Sequence, residues 1–147
     1  MHENLQQALD YAIAKEQEAE AFYKDWAAKA ENPGVVALFA ELAATEHGHA
    51  EMLSRVNPDE LVASSTDAPR DLKLSEFIVE VEASEGMSLQ EAMVVAMKRE
   101  ASAAALYDEL ARLGGETKAL FEALAAEERK HKLQLETEYD EQILTEN

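Results

Sequence analysis

At 147 residues the chain has the length of one domain and enough of it to bury a substantial core. A formal charge of −18 argues against nucleic acid and anionic membrane as partners, because both need a basic face. The absence of cysteine excludes disulfides, thiolate chemistry and zinc-finger, rubredoxin-type or iron–sulfur centres.

Ala, Glu and Leu are abundant, and Gly and Pro are few and clustered, so long uninterrupted helices are expected. No apolar run approaches the ~20 residues of a membrane span. Met-His-Glu-Asn does not read as a signal peptide, and the expected location is the cytoplasm.

The first helix is predicted over 4–30. Leu5, Leu9, Ala12, Glu16, Ala19, Tyr23, Trp26 and Ala30 recur at steps of three and four and share one face. Glu16 sits in the middle of that face, while Glu18 and Glu20 lie off it and read as solvated. Asn32-Pro33-Gly34 is a tight turn, with Pro33 suited to the first turn of a helix.

The second helix runs to about Val56. Its stripe is Val35, Phe39, Leu42, Glu46, His49, Leu53 and Val56, so Glu46 and His49 hold core positions. His47 falls off the stripe and reads as a surface residue. Asn57-Pro58 ends the helix. From there to Ser88 the pattern weakens: Ala63 to Pro69 is loop chemistry, and Leu74 to Val81 is apolar without settling on helix or strand. A connection over 57–87 is long for a compact domain. It makes sense as a crossover running the length of a bundle.

Ser88-Leu-Gln-Glu91 is a capping box that opens the third helix. Its stripe is Leu89, Met93, Ala96, Glu100, Ala103, Tyr107 and Leu110, and Gly114-Gly115 ends it. The fourth helix carries Thr117, Phe121, Leu124, Glu128, His131, Leu135 and Tyr139 on one face. The acidic tail beyond is expected to fray.

The chain repeats itself internally. An offset of 84 superposes Ala12, Glu16, Ala19 and Tyr23 on Ala96, Glu100, Ala103 and Tyr107. An offset of 82 superposes Phe39, Leu42, Glu46, His49 and Leu53 on Phe121, Leu124, Glu128, His131 and Leu135. The expected fold is therefore all-α: one domain over 1–147, a four-helix bundle of two repeated helical hairpins related by a pseudo-twofold axis, with one long crossover between the second and third long helices.

Height along the hairpins brings the acids together. At ~1.5 Å per residue, Glu16 and Glu46 stand ~24 and ~20 Å from the first turn, and Glu100 and Glu128 ~21 Å from the second. Four carboxylates at one level of a core are prohibitively costly as bare charges. Two divalent cations would balance them. Mixed carboxylate and imidazole ligation suits iron or manganese better than magnesium or structural zinc.

Glu16, Glu46-x-x-His49, Glu100 and Glu128-x-x-His131, with Tyr23 seven residues after the first Glu, resemble the ferritin-like superfamily. Within it the chain is most similar to stand-alone rubrerythrin-type domains. The constellation is the recognised one of di-iron and di-manganese carboxylate bundles. Rubrerythrins carry a further Glu where this chain has Ala103, which leaves a six-residue set closer to that of bacterioferritins. Where bacterioferritins place the haem-binding Met, this chain has His47. The rubredoxin domain of full-length rubrerythrins has no counterpart in this cysteine-free sequence.

The resemblance implies a non-haem di-iron oxidoreductase reducing peroxide or dioxygen, with two iron ions, or manganese in their place. Glu16 and Glu100 would be terminal ligands, Glu46 and Glu128 bridges, and His49 and His131 one nitrogen ligand each. Electrons would come from a separate protein or from Fe(II) itself, and a homodimer is expected. Iron storage, as a ferritin-like shell or its cargo, and a dimanganese catalase-like centre are the alternatives. Tyr23 and Tyr107 either pack in the core or serve the chemistry, by hydrogen-bonding a ligand across the bundle or donating electrons. Trp26 reads as packing and Glu127 as solvated.

Overall fold

The computed structural model describes residues 3–65 and 83–146. All the regular structure in them is helical: α1 Glu3–Lys29, α2 Pro33–Ser54, α3 Pro58–Ser64, α4 Leu89–Arg112 and α5 Lys118–Glu146. α1 packs along α2 and α4 along α5, and the two hairpins meet far more sparingly, through α1 with α4 and α2 with α5. The predicted bundle of two hairpins is the observed one. No helix among the described residues is long and apolar enough to cross a membrane.

Local chemistry sets the helix ends. Asn32 caps α2, its side-chain oxygen accepting from Gly34 N at 2.8 Å and Val35 N at 3.3 Å, with Pro33 at the first turn. Ser88 and Glu91 form the predicted capping box, each side chain bonded to the other's backbone N–H at 3.1 Å. Gly114 and Gly115, at φ 74° and 78°, turn the chain between α4 and α5. The second of these must be glycine, because a Cβ there would lie 2.5 Å from the Ser64 carbonyl oxygen.

Two expectations need correction. Asn57-Pro58 does more than end α2. It repeats the grammar of Asn32-Pro33: the Asn57 side chain accepts from Asp59 N and Glu60 N and starts α3. Ala63 and Ser64, expected as loop, close that helix, which buries Leu61 against the bundle. Beyond the last stripe residue α5 continues through Glu146. The apolar run from Leu74 to Val81 lies outside the described residues.

Among the described residues the core has two apolar parts. One is built on Leu5, Leu9, Leu53, Leu61, Leu110, Phe121 and Leu124, with Tyr107 at its edge. The other is built on Val35, Phe39, Leu42, Met93 and Leu135, with Tyr23. Among the described residues the buried charged ones are Glu16, Glu46, His49, Glu100, Glu128 and His131, each no more than 3% exposed.

Candidate metal centre

Each of the six buried polar residues sits mid-helix, where the backbone is fully hydrogen-bonded and the side chain is aimed by the helix itself. α1 and α4 contribute one glutamate each, Glu16 and Glu100. α2 and α5 contribute a glutamate and, three residues on, a histidine on the same face. The structure brings all six together.

Their pairing crosses between hairpins. His49 Nδ1 lies 2.8 Å from Glu128 Oε1, and His131 Nδ1 lies 3.0 Å from Glu46 Oε1. Within its own hairpin His49 is farther from its neighbours, 3.6 Å from Glu16 and 3.8 Å from Glu46. The two imidazole rings stack at 6.0 Å between centroids and 16° between planes. The tyrosines cross in the same way: Tyr23 Oη donates to Glu100 Oε1 at 2.7 Å and Tyr107 Oη to Glu16 Oε1 at 2.5 Å. Each tyrosine stacks on the phenylalanine of its own hairpin, Tyr23 on Phe39 and Tyr107 on Phe121. The internal repeat has become a pseudo-twofold arrangement of contacts.

The donor atoms fall into two overlapping groups, each within 4.8 Å: Glu16, Glu46, His49 and Glu128, and Glu46, Glu100, Glu128 and His131. Glu46 and Glu128 belong to both. Each group offers three carboxylate oxygens and one imidazole nitrogen, a set suited to a divalent transition metal. Glu16 Oε2 and Glu100 Oε2 are buried and accept no hydrogen bond. A buried carboxylate oxygen without a donor is costly, and a cation would satisfy it. The residues present fit a pair of metal ions.

Burial dominates the protonation of the cluster. It drives the Glu46 carboxyl far above its usual range, reinforced by the neighbouring Glu16 and the charge of Glu100. Burial does the same to Glu128, with the Glu100 charge adding to it. Burial pushes Glu16 upward too, but the neighbouring Glu46, the nearby His49 with its charge and the Tyr107 hydroxyl outweigh it and leave the group below its usual value. Without metal, Glu46 and Glu128 therefore keep their protons at neutral pH while Glu16 is ionised. Tyr23 and Tyr107 are raised well above the usual phenol range, by burial first and then by the charges of Glu100 and Glu16, so both hydroxyls stay protonated and act as donors.

Some of the polar surroundings were read too simply from the sequence. Glu18 is not merely solvated: it pairs with Arg99 across the α1–α4 seam at 3.0 Å and with Lys15 at 3.4 Å. Glu20 is only 15% exposed and holds Lys24 and His47. Glu127 is half-exposed as expected, yet its carboxylate lies 3.6 Å from His131 Nε2, one helical turn away. That four-residue spacing was the available signal. His47 is exposed, and Trp26 packs beside the Tyr23 cluster with Lys29 over its ring. Both agree with the reading from sequence.

Comparison with known proteins is consistent with this geometry. The family model described as Rubrerythrin matches residues 7–139. Searches of curated proteins and of solved structures found no match. The matched span takes in α2 and α4 whole, nearly all of α1 and most of α5, and with them every residue of the buried cluster, so the chain belongs to the rubrerythrin family.

Proposed function

We propose that the cluster holds two iron ions and that the protein is a non-haem di-iron oxidoreductase that reduces peroxide or dioxygen. Glu16 with His49 would serve one ion and Glu100 with His131 the other, while Glu46 and Glu128 would span both. The observation that carries this reading is the pair of overlapping donor groups sharing those two glutamates.

Bound iron would supply the electrons and the open coordination positions. The rest falls to the chain. The apolar residues packed around the centre keep bulk water away from it, which strengthens every electrostatic contact inside. Tyr23 and Tyr107 hold the Glu100 and Glu16 carboxylates in place from the opposite hairpin. Glu46 and Glu128, protonated without metal, would have to lose those protons to serve as ligands, because a ligand must be deprotonated. The electrons that restore the reduced centre would come from a separate protein or from Fe(II).

Anaerobic titration with Fe(II), followed optically as peroxide or air is admitted, tests the proposal. Saturation at two irons per chain and oxidation by peroxide or air support it. Many irons retained per chain would instead mark a storage protein. The same donor sets accept manganese. Oxygen evolution from peroxide by the manganese-loaded protein, with an iron form inert to peroxide, would favour a catalase-like centre.

A further inference from the structure

The two halves of the centre differ on their outer side. In both hairpins Nδ1 is the imidazole nitrogen turned toward the carboxylates. His49 Nδ1 lies 2.8 Å from Glu128 and 3.6 Å from Glu16, and His131 Nδ1 lies 3.0 Å from Glu46 and 3.5 Å from Glu100. A ring that ligates through Nδ1 keeps its proton on Nε2, and whatever receives that N–H sets the ring's direction and the strength of Nδ1 as a donor.

His131 has such a partner. The Glu127 carboxylate lies 3.6 Å from its Nε2, one helical turn back along α5. The Glu127 side chain is 46% exposed, so its torsions are free to close the remaining few tenths of an ångström to a hydrogen bond. The ring between Glu127 and the centre is only 4% exposed. Its Nε2 therefore has little water to turn to.

His49 has no such partner. The carboxylates it approaches all face Nδ1, and among the described residues none comes within 4.0 Å of its Nε2. The repeat shows why. The offset of 82 that superposes Glu46 on Glu128 and His49 on His131 places Thr45 on Glu127. Thr45 carries no charge, and its hydroxyl donates to the Glu41 carbonyl of its own helix at 3.0 Å. One substitution between the repeats thus gives one imidazole a carboxylate behind it and leaves the other without.

We propose that Glu127 is a positioning residue for His131, and that it makes the two metal positions unequal, so that the one served by Glu100 and His131 binds its ion more tightly and fills first. The inference rests on the metal-centre reading above and adds to it an order of loading.

Co(II) is the probe, because it does not need oxygen excluded and its bound imidazole N–H protons give shifted magnetic-resonance signals. The full chain is titrated with Co(II) in competition with a chelator, and the ring N–H signals are followed at each addition. The wild type should fill in two steps, with one N–H signal dominant at one ion per chain. Glu127→Gln should weaken the first step about tenfold, the low end for such partners because the carboxylate is half in water, and leave the second step unchanged. The two N–H signals should then grow together. Thr45→Glu supplies the missing carboxylate and should strengthen the second step several-fold. A Glu127→Gln protein whose first step is unchanged, or whose two steps weaken alike, overturns the proposal. If that variant also lowers the melting point of the apoprotein, Thr45→Glu decides alone, and a second step no tighter than the wild type's overturns it. A wild-type chain that takes up no Co(II) overturns the metal-centre reading instead.

Discussion

Tyr23 and Glu100 lie 77 residues apart, and the buried phenol of one donates to the carboxylate of the other at 2.7 Å. The mirror contact, from Tyr107 to Glu16, makes each hairpin hold a glutamate of its partner. A tyrosine in this position both satisfies a buried acceptor and fixes a carboxylate's direction. Tyr23→Phe removes the donor and leaves Glu100 Oε1 without it, at a cost of about 1–3 kcal/mol in the apoprotein. Thermal melting of the metal-free variant should show that loss. Metal affinity, measured by competition with a chelator, should fall roughly 10–100-fold, as expected when a partner that orients a ligand is lost. A variant with wild-type affinity would reduce Tyr23 to packing.

The shared and unshared glutamates predict different stoichiometries. Glu46 belongs to both donor groups, Glu16 to one. Glu46→Gln should impair both metal positions, whereas Glu16→Gln should leave one ion bound per chain. Because burial already keeps Glu46 protonated without metal, the amide is close to the native group in shape and charge. The Glu46→Gln apoprotein should melt near the wild type. Metal content after desalting distinguishes the two variants. Equal losses would mean that the glutamates are not divided into shared and terminal roles.

The core positions of the six buried residues were legible because each falls on an apolar stripe and recurs at a fixed offset. Periodicity shows which face of a helix turns inward, and helix geometry shows at what height. It does not show which inward residues meet. His49 shares a face with Glu46 by sequence, yet its nearest carboxylate oxygen belongs to Glu128, at 2.8 Å against 3.8 Å. Nor does periodicity reveal which seam of the bundle is loose. Glu18 therefore read as solvated, although it pairs with Arg99 across the α1–α4 seam. The start of α3 was missed for another reason. Asn57-Pro58 was read as a stop signal, although the same pair at Asn32-Pro33 begins a helix. With only seven residues, α3 has too few turns to show a stripe.

Ser64, the last residue of α3, clasps the turn between α4 and α5. Its hydroxyl accepts from Glu116 N at 3.3 Å, and its carbonyl lies where a Gly115 side chain would stand. Gly115→Ala should destabilise the protein by about 2 kcal/mol or more, through the positive φ and the clash together. That corresponds to a melting point roughly 5 °C lower. Metal stoichiometry should be unchanged, because the turn lies ~20 Å from the carboxylates by helix rise. An unchanged melting point would show that the contact is readily relieved.

The raised carboxyls give the apoprotein an unusual dependence on pH. Glu46 and Glu128 hold their protons when folded and release them when unfolded at any pH above about 4.3, the ordinary glutamate value. Above that pH the folded state binds more protons than the unfolded one, so apoprotein stability falls as pH rises. The slope approaches about 1.4 kcal/mol per pH unit for each fully protonated group. Glu16, lowered rather than raised, acts in the opposite sense but only below about pH 4.3, where it supports stability until it is protonated. Metal reverses the trend. Loading must expel the two protons, so apparent affinity strengthens with pH and protons are released on binding. Saturating metal at 100 times its dissociation constant adds about 2.7 kcal/mol to stability. Melting curves of the metal-free and metal-loaded protein from pH 5 to 8 should therefore diverge as pH rises. Parallel curves would mean that Glu46 and Glu128 carry no proton for the metal to displace.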